Sequence, residues 1–265
     1  MYKIYMIRLC IFNLGGTIVD RYALTPLLSL KKVFDNKQIY LSNQTILKDM
    51  GIYKKDHIRS ILNEPIILNQ WIHQFKSNPT DTDVTNLNAE YNIIQSEYSK
   101  SITDILPETK PCIQFLNENN IKTGCTTEHN KEVMNIIINR LNTHNIYLDS
   151  YISSTCLNKP TRPYPYMIEQ TMENLSIDKP SSIIKVDDTI TGIEEGKHAG
   201  CWTVGVARWS PNMNITNIHD AYYLSYKDIK RNIIDSQRKL NDAKPDFIIQ
   251  TLDELPGIIN RLNYK

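Results

Sequence analysis

Apolar positions along the chain follow two rhythms. Short continuous runs rich in β-branched and aromatic residues occupy 8–14 ("RLCIFNL"), 121–127 ("IKTGCTT"), 147–154 ("YLDSYISS"), 181–188 ("SSIIKVDD") and 202–207 ("WTVGVA"). Runs of this length read as strands buried on both faces, and the first stops at Gly15-Gly16, where the backbone is free to turn. Between them the apolar spacing turns helical, at 110–120, 130–142, 162–175 and 191–200. Strands alternating with helices of this length predict an α/β fold: βαβ units forming a doubly wound parallel sheet. Ligands bind such sheets beyond the carboxyl ends of the strands, where this chain carries Asn13, Thr126-Thr127 and Asp187-Asp188.

Residues from about 21 to 102 break the rhythm. Amphipathic helix is predicted at 24–37, 45–63, 65–77 and 83–102, with loops such as "SNPTDTD" between. The reading is therefore a core built from 1–20 and 103–265, with an α-helical cap, 21–102, inserted after the first strand. After residue 209 the pattern gives a helix at 226–243, an apolar run "DFIIQ" and a last helix at 253–263.

Composition narrows the function classes. The 265 residues are 41% hydrophobic, as in a globular protein able to fold on its own. Thirty Lys and Arg against 29 Asp and Glu leave a net charge of +1, so no global field draws in nucleic acid or an anionic membrane. The five cysteines (Cys10, Cys112, Cys125, Cys156 and Cys201) form no CxxC pair, which suits a reduced, intracellular compartment. "MYKIYMIRLC" is too short in apolar residues for a secretory signal, and the expected location is cytoplasmic.

The stretch "IFNLGGTIVD" ends the first strand in a Gly-Thr turn, with an amide, Asn13, two residues before the glycines. Together with "DMGIYKKDHIRSIL", "IKTGCTT", "TRPYPYMIEQTMENL", "IIKVDDTITGIEEGKHAGCWTVGVARWS" and "DFIIQTLDELPGII", it closely resembles the phosphonoacetaldehyde hydrolase (phosphonatase) family of the haloacid dehalogenase superfamily. The resemblance runs over nearly the whole chain. It implies a haloacid dehalogenase-like Rossmannoid core, a cap that closes over the site, a homodimer, and a small phosphonate or phosphorylated aldehyde as ligand. The implied reaction hydrolyses the P–C bond of phosphonoacetaldehyde to acetaldehyde and phosphate. A lysine imine accepts the electrons of the broken bond, an aspartate takes the phosphoryl group, and Mg²⁺ offsets the crowded negative charge.

The resemblance places the imine-forming amine at Lys54, with Met50 and His57 beside it, and the phosphoryl cradle at Gly15, Thr127 and Arg162. Alone, "YKKDH" reads rather as a solvated surface patch, and the resemblance reverses that reading. An imine-forming lysine must spend time uncharged, which desolvation or a neighbouring cation such as Lys55 or His57 would favour. The Mg²⁺ ligands fall at Asp188, Asp187, Asn13 and Gly15; the family's second metal acid is Gly192 here, while Asp187 replaces a family glycine. The lost charge is expected to reappear at Asp187, unless the acidic pair merely caps the helix beginning near Thr189. Glu128, also at a family glycine, would repel a dianion if it pointed inward. Asn13 stands at the nucleophile position, where a neutral amide offers only a weak carbonyl donor, so phosphoryl transfer to it is expected to fail. Asp20 lies too far along the chain to replace it. Three readings stay open: a binding or regulatory protein for a small phospho-ligand, an enzyme (a residual phosphonatase or a lysine-dependent carbonyl enzyme using Lys54), and a structural partner.

Overall fold

The computed structural model describes residues 6–101 and 103–263. Among them are six strands: β1 (Leu9–Phe12), β2 (Lys122–Thr127), β3 (Ser150–Ser153), β4 (Ile183–Asp187), β5 (Trp202–Val206) and β6 (Phe247–Ile249). They form one sheet in the order β3-β2-β1-β4-β5-β6, and every pairing is parallel. The apolar run at 246–250 thus supplies a sixth strand beyond the five predicted, pairing Val204 with Phe247 at the sheet edge.

The helices follow in chain order: α1 (Leu24–Asp35), α2 (Asn43–Leu47), α3 (Lys54–Asn63), α4 (Pro65–Phe75), α5 (Asp81–Ser101), α6 (Thr109–Glu118) and α7 (Lys131–Thr143). After them come α8 (Tyr166–Asn174), α9 (Ile190–His198), α10 (Ile218–Tyr223), α11 (Tyr226–Leu240) and α12 (Leu255–Asn263). Alternation along β1 divides the sheet's two faces. Cys10 and Phe12 pack with Ile113, Ile137 and Ile259 of α6, α7 and α12. Leu9 and Ile11 pack with Ile168 of α8, while α9 and α11 join through Ile193 and Leu240 on the neighbouring part of that layer. Helices on both faces of a parallel sheet account for its near-continuous apolar strands.

Helices α1–α5 close around a separate core that includes Leu30, Phe34, Ile58, Ile61, Trp71, Leu87 and Tyr91. The chain enters this region through three non-glycine residues with left-handed backbone, Asp20 (φ 56), Tyr22 (φ 62) and Ala23 (φ 50), and runs antiparallel to its return at Val19 and Ile105. The long helix predicted at 45–63 is instead two. Its register breaks at Gly51, whose φ of 99 suits a residue without Cβ, and α3 begins afresh at Lys54. The helix predicted from 162 starts only at Tyr166, because Pro163 and Pro165 keep the residues before them out of the helical region. Ile102, the predicted end of α5, and residues 1–5 lie outside the described residues. No helix among the described residues is long and apolar enough to cross a membrane. All five cysteines are free, and four of them are buried.

Candidate active site

The sheet order reverses between β1 and β4, so the crevice at their carboxyl ends is where a ligand is expected to bind. A cleft opens there between the sheet and helices α1, α3 and α5. Its lining includes Asn13, Gly15, Met50, Lys54, Thr127, Arg162 and Asp188, together with Glu128 and His129. Of the residues singled out in the sequence, His57 and Asp187 stand behind the wall rather than in it.

Asn13 follows β1 and is held by its backbone N–H on the Val186 carbonyl (2.9 Å). Its side-chain amide nitrogen donates to Asp188 Oδ1 (2.8 Å) and to the Gly15 carbonyl (3.0 Å), and its Oδ1 accepts from Arg162 Nη1 (3.4 Å). Thr17 Oγ1 donates to the same Asp188 oxygen (2.7 Å). Gly16 has φ 74, and a Cβ there would collide with the Asp188 carboxylate, so the second glycine of the turn is a requirement of close approach. Asp188 Oδ2 is buried and meets no hydrogen-bond partner among the described residues. Burial, and then the neighbouring Asp187 charge, push the Asp188 carboxyl well above the usual carboxylate range.

Asp187 faces the other way. Its Oδ1 accepts from the backbone N–H (3.0 Å) and hydroxyl (2.7 Å) of Thr189, and its Oδ2 pairs with Lys185 Nζ (3.1 Å) and Arg162 Nη2 (3.3 Å). Burial would raise its pKa, but the Arg162 and Lys185 charges overcome this and hold it low. Thr189 itself is the N-cap of α9, accepting from the Gly192 N–H. A Cβ at Gly192 would fall on the Asp187 carboxylate. The acid at 187 therefore fills the space that a side chain at 192 would take, which agrees with the exchange of acids expected from the resemblance. Gly192→Asp alone should then be destabilising by about 3 kcal/mol, by overpacking and an added buried charge. Asp187→Gly in the same chain should recover most of the loss, read as denaturant midpoints of the two variants.

Beneath the cleft lies a buried charge cluster that the sequence reading missed. Lys185, fully buried in β4, donates to Thr126 Oγ1 (2.7 Å) and pairs with Asp187 and with Glu195 Oε2 (3.3 Å). Arg162 Nε donates to Glu195 Oε2 (2.9 Å), and its Nη2 donates to the Thr126 carbonyl (2.7 Å). Two cations thus balance Asp187 and Glu195. A lysine in the middle of an apolar strand run, at "IIKVDD", was the available signal.

Lys54 begins α3, and its Nζ lies 3.2 Å from His57 Nδ1 and 5.0 Å from the centre of the Tyr91 ring. Burial lowers the Lys54 pKa to about 8, against a small opposing pull from Glu128. The cause is desolvation rather than a neighbouring cation, since burial and then Lys54 hold the His57 imidazole neutral. Thr127 Oγ1 accepts from the His129 N–H (3.2 Å). His129 Nδ1 lies 2.9 Å from Gln95 Nε2, and burial lowers its pKa to about 3. The amide N–H of Gln95 donates to Nδ1, leaving the proton of the neutral ring on Nε2. Glu128 Oε1 accepts from the Arg162 backbone N–H (3.1 Å), and the Ser154 hydroxyl is a further donor beside the buried carboxylate. Asp20 is buried below Gly15, its carboxylate accepting from the Thr25 N–H (3.1 and 3.2 Å), and burial raises its pKa to about 7.

Mg²⁺ prefers several oxygen donors with full or strong partial charge. Here Asp188 contributes the one carboxylate facing the cleft, Asp187 is committed to cations below, and the Asn13 –NH₂ spans Asp188 and the Gly15 carbonyl. Among the described residues no group of three or more His, Cys, Asp and Glu side chains is arranged to hold a metal. This donor set does not fit a tight Mg²⁺ site: an amide N–H bridges the oxygens that would bind the cation.

Residues 10–206 match the haloacid dehalogenase-like hydrolase family. The chain belongs to that family. Within it the chain is phosphonatase-like: it is 29% identical to the phosphonoacetaldehyde hydrolase of Bacteroides fragilis over 259 residues, 98% of both chains. It is also 30% identical to a bifunctional phosphonoacetaldehyde hydrolase/aminoethylphosphonate transaminase of Clostridioides difficile, over 99% of this chain and 41% of that longer protein. The fold is shared with a phosphonoacetaldehyde hydrolase-like protein from Oleispira antarctica (TM-score 0.93, 24% identity, 100% of this chain and 95% of the other).

Proposed function

We propose that this family member binds a small aldehyde bearing a phosphonate or phosphate group, condenses it with Lys54 as an imine, and leaves the P–C bond intact. The observation that carries this is the pairing, in one cleft, of a desolvated amine with an amide at the nucleophile position. Lys54, its pKa lowered to about 8, has an appreciable uncharged fraction near neutral pH, as imine formation requires. Arg162 and Thr127 line the same cleft: Thr127 accepts from the His129 N–H and keeps its O–H to donate, and Arg162 brings a positive charge whose Nη1 makes only a long contact, 3.4 Å, with Asn13. Asn13 has no carboxylate to attack phosphorus, and its –NH₂ is engaged by Asp188 and Gly15. Sequence similarity to phosphonoacetaldehyde hydrolases along 98% of the chain supports the ligand class.

The test is reductive trapping. Incubation with phosphonoacetaldehyde and borohydride should attach a stable adduct to one residue, identified as Lys54 by peptide mapping. Lys54→Ala should lose more than about 90% of the labelling. Labelling spread over surface lysines, unchanged in Lys54→Ala, would remove the imine reading.

A further inference from the structure

We propose that Glu128 is the general base of a proton-transfer reaction in this cleft, removing and returning a proton on the carbon next to the Lys54 imine. The proposal rests on the imine reading above. Its geometric basis is the position of Glu128 on the turn just after β2, where Oε1 is anchored by the Arg162 backbone N–H (3.1 Å) and the residue lines the same cleft as Lys54. The other oxygen, Oε2, is buried without a well-directed donor among the described residues, with the Ser154 hydroxyl as the side-chain donor beside the carboxylate. A carboxylate held this way keeps acceptor capacity for a proton arriving in the cleft.

The other titratable groups are poorly placed for the task. His129 carries its proton on the nitrogen away from Gln95, so towards a ligand it is a donor rather than a base. His57 sits behind Lys54, outside the cleft lining. Asp188 is tied through Oδ1 to Thr17 and Asn13, and its Oδ2 is packed against Gly16. Glu128 is the carboxylate whose charge acts on Lys54. Burial raises the Glu128 pKa, which strengthens it as a base relative to an exposed carboxylate.

The chemistry balances without a further reactant. Neutral Lys54 adds to the aldehyde carbon, the addition product takes up one proton from solvent and water leaves, giving a protonated imine. Its positive charge acidifies the adjacent C–H. Glu128 takes that proton, the C–H electron pair becomes the carbon–carbon double bond of an enamine, and the nitrogen becomes neutral. Return of a proton to the same carbon restores the imine, and water releases the aldehyde. No bond to phosphorus is made or broken. The substrate class is an aldehyde or ketone with an enolisable carbon between the carbonyl and an anionic group held by Arg162.

In deuterated buffer the protein should exchange the methylene protons of phosphonoacetaldehyde for deuterium, seen as loss of their proton NMR signal far above the rate without protein. Glu128→Gln and Glu128→Gly should each lower this exchange by about 100-fold or more, the usual contribution of a positioned base. Borohydride labelling of Lys54 in the same samples should fall much less, which also shows that the cleft has folded. Exchange by both variants at the wild-type rate, or labelling of Lys54 in wild type without exchange, would overturn the proposal while leaving the imine reading in place. Absence of Lys54 labelling in wild type would overturn both.

Discussion

Asn13→Asp should release acetaldehyde and phosphate from phosphonoacetaldehyde when Mg²⁺ is present, where the wild type is expected to show no measurable P–C hydrolysis. The wild type lacks the covalent acceptor, a loss that commonly costs about 10⁴-fold or more in rate, and the expected gain is of that order. The structural reason is local. Asn13 Nδ2 donates to Asp188 Oδ1 and to the Gly15 carbonyl, whereas a carboxylate at 13 would turn all three groups into oxygen donors around one position. Arg162 Nη1 already points at the side-chain oxygen of residue 13 from 3.4 Å. Lys54→Ala added to Asn13→Asp should return the rate to the background, because the electrons of the broken P–C bond then have no imine to enter. Wild-type turnover equal to that of Asn13→Asp would show that another group accepts the phosphoryl.

Lys185→Met should be the most destabilising single change at the base of the cleft, by about 3–5 kcal/mol, the cost of stranding a buried partner. Lys185 is fully buried and its Nζ meets Thr126, Asp187 and Glu195. Removing it leaves two buried carboxylates with Arg162 alone. Glu195→Gln in the same chain restores a one-to-one balance between Arg162 and Asp187, so the double variant should lose less than the sum of the single losses. A double-mutant cycle on urea midpoints checks this; simple additivity would mean that the cluster does not act as a unit.

The sheet was readable from apolar runs ending at Gly15 and at Asp187-Asp188, because a parallel strand buried on both faces has little use for polar residues before its carboxyl end. The same logic brought out Asn13, Thr127 and Asp188 as cleft residues, and the placement of Lys54 required the family resemblance. Side-chain direction was not legible. Asp187 and Asp188 are adjacent in sequence, yet one turns to the cations under the sheet's end and the other to the cleft, which only the positions of Lys185 and Arg162 decide. His129 escaped notice because its role depends on Gln95, 34 residues away on α5. The helix break at Gly51 was hidden by flanking residues that individually favour helix.

The most direct test of the central claim is the mass of the intact protein after borohydride reduction in the presence of phosphonoacetaldehyde. The account predicts one added phosphonoethyl group on Lys54, with phosphorus retained. An added ethyl group without phosphorus would show that the P–C bond is cleaved on the wild-type protein, and would contradict the assignment of Asn13 as a residue that blocks phosphoryl transfer.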